Sequence, residues 1–177
     1  HEPLSRTERE ALQYQVERLA TRHPAHVQTQ VAAAALAHAA GQRLRAQGYV
    51  ERALELEPGE VTARRLRVEM AVADGNLPLA RELLARGLRL RPDRFELHEL
   101  SAWLHQLDGA HDAALAALDA AERLGAPPFR ILFHRGLVEE QRGRPQAALP
   151  LYEAALDLAP DCAPAQQRLA ALRATSH

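Results

Sequence analysis

Small and large apolar residues recur along this chain with a period of 34 residues. Val50, Leu84, Leu118 and Tyr152 form one in-phase set of large positions. Four residues before each stands Ala46, Ala80, Ala114 or Ala148, and three after each stands Ala53, Gly87, Ala121 or Ala155. Leu56, Leu90, Leu124 and Leu158 follow, and two residues later comes a slot held by Pro58, Pro92, Ala126 and Pro160. Pro24 occupies the same slot one period upstream, and Pro127 stands one residue late at the slot that lacks proline. Gly41, Gly75, Gly109 and Gly143 precede the slots by 17 residues. Glycine is favoured just past a helix end, where the backbone turns left-handed, and proline cannot continue a helix. Each period therefore predicts helix, glycine turn, helix, proline stop. Residues 27–60, 61–94, 95–128 and 129–162 become four units holding eight helices. The small residues let neighbouring backbones approach, and the large one fills the gap between them. One such hairpin cannot bury its apolar stripe alone, so stacked units and an all-α solenoid are expected.

The pattern continues at both ends. Ser5 followed by Glu8 reads as a capping box opening a helix to about Arg22, the second half of an incomplete unit over residues 5–24. That start in mid-unit predicts either an N-terminal cap or a fragment of a longer chain. Residues 163–177 predict a C-terminal capping helix from about Pro164 to Ala174. Leu169 and Leu172 lie on one side of it, and Gln166, Gln167, Arg168 and Arg173 occupy the rest.

The segments ERALELEP and YEAALDLAPD resemble the second helix of the tetratricopeptide repeat. The first helices depart from that family: Arg64, Arg67, His98, His105 and Glu139 stand where Trp, Leu and Tyr are usual, while Ala34, Ala102 and Gly136 keep its small residue, with Val68 between them. The resemblance implies one domain over residues 1–177, a right-handed α-α superhelix of antiparallel hairpins. It also implies a non-enzymatic scaffold that binds a protein or peptide in a concave groove lined by first helices. Pentatricopeptide RNA binders share the architecture, but they run at 35 residues and are usually basic. Two other functions stay open: a targeting domain of a larger enzyme or envelope-secretion protein, and a secretion chaperone.

Within that groove the in-phase rows are Val31, Arg65, Glu99, Phe133, then Ala35, Glu69, Trp103, Leu137, then His38, Val72, Gln106, Glu140. Residues four apart share a helix face, so the rows lie side by side. Trp103, Phe133 and Leu137 are expected to cluster as an apolar anchor flanked by Glu99, Gln106, Arg130 and Glu140, because buried aromatics dominate interface energetics. The plainer reading is that Trp103 packs between first helices. Arg65 and Glu69 are spaced as an ordinary i,i+4 pair, worth about 0.2–0.5 kcal/mol. Family members that clamp a partner's C-terminal carboxylate use Lys and Asn on these rows. This chain has no Lys, and its only Asn is Asn76 in a turn.

Composition narrows the chemistry. Ala and Leu supply 36 and 29 residues against 14 for Val, Ile and Thr together, which favours helix. Without Lys there is no Schiff-base lysine and no P-loop lysine. Ser5, Ser101 and Ser176 are the only serines and none sits in a nucleophile elbow. The formal charge of −1 speaks against nucleic acid as partner. His98 and His105 lie about 10.5 Å apart along a helix axis, too far to share one ion, so no metal or cofactor is expected. Cys162, the single cysteine, reads as a small buried filler. No stretch is long and apolar enough to span a bilayer. High Ala, Arg and Leu without Lys suggests a high-GC bacterial protein, expected to be soluble in cytoplasm or periplasm.

Overall fold

A computed structural model describes residues 5–175. The elements are α1 (Arg6–Arg22), α2 (Val27–Ala39), α3 (Arg43–Leu56), α4 (Val61–Ala73), α5 (Leu77–Leu90), α6 (Phe95–Leu107), α7 (His111–Arg123), α8 (Pro128–Gln141), α9 (Pro145–Leu158) and α10 (Ala163–Thr175). No strand occurs among the described residues. The chain forms two compact units, His1–Arg91 with α1 to α5 and Pro92–His177 with α6 to α10. Within them α2 pairs with α3, α4 with α5, α6 with α7 and α8 with α9.

The turn inside each hairpin follows from its glycine. Gly41, Gly75, Gly109 and Gly143 have φ between 68° and 71°, a conformation that costs other residues a Cβ clash. In the first turn Gln42 N–H donates to the Ala37 carbonyl at 2.8 Å and Gly41 N–H to His38 at 3.0 Å, and the other three repeat this pair. Carbonyls orphaned at the helix end are thereby satisfied. At the amino end the Ser5–Glu8 capping box is present in both directions.

The junctions between hairpins come in two kinds. Helices α3, α5 and α9 end on residues with φ of −135°, −140° and −143°, just before the proline slot. Helix α7 is one residue shorter than these and ends in a glycine turn instead. There Gly125 takes φ of 87°, and Ala126 and Gly125 donate to the Ala121 and Glu122 carbonyls, each at 3.0 Å. The period thus skips its proline where Gly125 turns the chain.

A polar side chain six residues on holds each proline-slot carbonyl. Gln30 Nε2 donates to Pro24 at 3.3 Å, Arg64 Nη2 to Pro58 at 2.6 Å and Gln166 Nε2 to Pro160 at 2.7 Å; His98 Nε2 lies 3.0 Å from the Pro92 carbonyl. The equivalent residue after Gly125 is Leu132, which carries no donor.

In the first unit the core collects Val31, Ala34, Ala37, Ala46, Val50, Ala53, Ala63, Leu66 and Met70. The second unit has one cluster around Ala102, Ala114, Leu118 and Ile131, and another of Ala148, Tyr152, Leu169 and Leu172. Tyr152 is fully buried because Gly136 leaves room for its ring: a Cβ at Gly136 would stand 2.5 Å from Tyr152 Cε1. Cys162, expected to be buried, is only half-buried, since it stands in the turn between α9 and α10.

Candidate functional site

The nine residues expected to bind a partner divide between the units. Arg65 and Glu69 lie on α4 in the first, joined by an ion pair of 2.7 Å along one helix face. Glu99, Trp103, Gln106, Arg130, Phe133, Leu137 and Glu140 lie on α6 and α8 in the second.

Helices α6 and α8 are tied by polar contacts between residues 28 and 31 apart in sequence. Arg130 Nη2 donates to Glu99 Oε2 at 2.5 Å, and its guanidinium sits 5.7 Å from the centre of the Phe95 ring. Gln106 Nε2 donates to the His134 carbonyl at 3.4 Å. Glu99 is 5% exposed, and its second oxygen, Oε1, is buried without a hydrogen-bond partner. Burial pushes the Glu99 carboxyl up, Arg130 opposes this and the nearby Glu96 carboxylate adds to it. Burial and the Arg130 charge push His134 down to about 4, so its imidazole is neutral at physiological pH.

Trp103 is half-buried one turn after Glu99 on α6. Phe133 and Leu137, also half-buried, pack on the Ala148–Tyr152–Leu169–Leu172 cluster. The Phe133 ring lies 5.4 Å from that of His134 and 5.9 Å from that of Tyr152. Both residues therefore serve the core as well as the helix face. Glu140 is engaged from two sides: Tyr152 Oη donates at 2.7 Å and Arg168 Nη1 at 3.2 Å. Burial and that bond raise the Tyr152 pKa.

Sequence reasoning missed the clasps on the proline carbonyls. Arg64 stood out only as a replacement for a usual family residue, and His98 as that and as a metal-ligand candidate. The available signal was a donor side chain six residues after each proline slot, absent only where the slot lacks proline. Among the described residues no group of three or more His, Cys, Asp or Glu is placed to hold a metal ion. Likewise, no described helix is long and apolar enough to cross a membrane.

Two profiles of the tetratricopeptide repeat match the sequence, one over residues 37–104 and one over 102–163. No curated protein sequence matches. Among solved structures the chain is similar to TTC0263, a thermophilic TPR protein of Thermus thermophilus, at 22% identity and a TM-score of 0.82, covering 94% of this chain and 91% of that one. It is similar to a chain of the APC/C hetero-tetramer Cut9–Hcn1 at 18% identity and a TM-score of 0.79. That match covers 95% of this chain and only 34% of the other. YrrB, a TPR protein with an unusual peptide-binding site, is similar at 17% identity and a TM-score of 0.57, over 91% of this chain and 83% of that one.

Proposed function

Because the chain belongs to the tetratricopeptide repeat family, we propose that it is an interaction scaffold whose partner, a protein segment, docks on first helices of the hairpins, chiefly α6 and α8. Proteins of this family are generally non-enzymatic scaffolds for protein–protein contacts, and YrrB offers a case with a peptide-binding site. The observation that carries the reading is the side-by-side placement of Glu99 and Trp103. A buried carboxylate with a free Oε1 calls for a donor, because an unmet buried acceptor costs about 1–3 kcal/mol. Trp103, four residues on, supplies apolar area for the residue that brings that donor. A peptide backbone N–H or a basic side chain fits the pair.

Arg130 holds Glu99 in place from α8, Gln106 is buried and ties α6 to the His134 carbonyl, and Phe133, Leu137 and Glu140 extend the surface along α8. Arg65 and Glu69, on α4 of the first unit, serve as the control positions. A protein partner suits the formal charge of −1 better than a nucleic acid does.

The test pairs affinity with stability. A partner captured by the full chain and identified by mass spectrometry is titrated against Trp103→Ala and Phe133→Ala, with Arg65→Ala as peripheral control. Truncating a central anchor typically costs about 2 kcal/mol or more, roughly 30-fold in affinity. The reading expects that loss for Trp103→Ala with a near-native melting temperature, a smaller loss for Phe133→Ala with some destabilisation, and little change for the control. Unchanged affinity in folded Trp103→Ala would move the interface elsewhere.

A further inference from the structure

Four side chains hold the proline-slot carbonyls, and one of them is unlike the rest. Gln30 and Gln166 do so as neutral amides, whereas Arg64 brings a full charge and four N–H groups beyond the one the contact uses. Arg64 is 3% exposed, and its Nε–H is buried without an acceptor. Burial and repulsion from Arg86 both lower its pKa, and no carboxylate acts to raise it. An uncompensated buried charge is costly, yet neighbouring repeats show that glutamine does the same structural work. A residue that breaks a local rule without a compensating gain inside the fold points to function.

Arg64 lines an open cleft of about 440 Å³ bounded by α3, α4 and α5 in the first unit. Arg67 and Arg86 line it too, and neither forms an ion pair with a described residue. Across from them stand Glu51, which accepts from Gln47 at 2.7 Å, and Glu55, drawn to Arg52 at 3.5 Å. Three positive and two negative groups leave the lining at +1. That charge matches a monoanion, and the two glutamates oppose a phosphate dianion. Leu54, Leu83 and Pro58 give the cleft apolar walls, suited to the methylene stem of an acidic side chain.

We propose that this cleft is a binding site for one carboxylate side chain, an Asp or Glu of a partner's peptide segment, which supplies the acceptor missing at Arg64. The site lies on a different helix set from the α6/α8 surface and stands or falls separately from it. A guanidinium suits the task because its planar fork meets a carboxylate with two parallel hydrogen bonds.

The experiment titrates the full chain with a terminally blocked peptide, Ala-Leu-Glu-Leu-Ala, at constant ionic strength. Backbone amide NMR shifts of residues 59 to 67 and the Arg64 Nε–H signal report binding. Parallel arms use the same peptide with Gln for Glu, and inorganic phosphate. The Glu peptide should give a saturable shift, with the Gln peptide and phosphate at least tenfold weaker. Arg64→Gln should weaken Glu-peptide binding at least tenfold while keeping the melting temperature, since Gln30 and Gln166 show that this position holds glutamine. Arg67→Gln and Arg86→Gln, at more exposed positions, should each weaken it about threefold and give an answer even if Arg64→Gln fails to fold. No saturable shift, equal binding of the Gln peptide, tighter binding of phosphate, or full affinity in folded Arg64→Gln would each overturn the proposal.

Discussion

The hairpin of α4 and α5 and the hairpin of α8 and α9 share one repeat frame but fill it differently. The first is entered through a proline-slot junction, with Arg64 gripping the Pro58 carbonyl. The second is entered through the Gly125 turn, and Leu132 stands where the gripping side chain would be. Inside the hairpins, one position on the first helix and one on the second exchange volume. The first hairpin has Val68 and Leu84, whereas the second has Gly136 and Tyr152, with the glycine yielding its space to the ring. The larger ring also brings a hydroxyl, which the second hairpin satisfies with Glu140. The turns inside the hairpins are thus held by backbone chemistry that each repeat solves alike, while the junctions differ and core side chains vary in compensated pairs.

Substituting the first hairpin's residue into the second should give the largest effect. Gly136→Val drives two methyl groups into the Tyr152 ring, and overpacking of this kind costs about 1–3 kcal/mol. Tyr152→Leu added to it should recover part of that loss, because contacting sites are not additive. Thermal unfolding of the single and double variants checks this; simple additivity would show that the two positions do not trade volume.

A smaller effect separates the junctions. Gly125→Ala places a Cβ at φ of 87° and should cost about 1–2 kcal/mol. Gly59→Ala in the proline-slot junction has ordinary φ and meets only the Arg91 side chain at 3.4 Å, so it should stay within about 0.5 kcal/mol. Equal melting temperatures for the two variants would mean that Gly125 does not carry the second junction.

The sequence disclosed what repeats in one dimension. Every helix end must satisfy its backbone groups locally, so Gly41, Gly75, Gly109 and Gly143 announced their turns directly. The small row likewise marked Ala114 and Ala148 as closely packed positions, and both are fully buried. The interaction surface was less legible because its pairings are set by side chains far apart in the chain. Glu99 and Arg130, 31 residues apart, form a tie that no local pattern announces. Glu140 was expected at the rim of an apolar pocket, and the Tyr152 and Arg168 contacts that occupy it depend on how α9 and α10 pack on α8. The Pro58–Arg64 contact was nearer in sequence but hidden, because its donors change type from unit to unit while their position does not.

Amide hydrogen exchange with and without a captured partner tests most directly whether the variable faces of the first helices carry binding. If they do, the bound complex should slow exchange in α6 around Trp103 and in α8 around Phe133, and leave α7 and α9 near their unbound rates. Protection confined to α7 and α9, with α6 and α8 unchanged, would contradict the account.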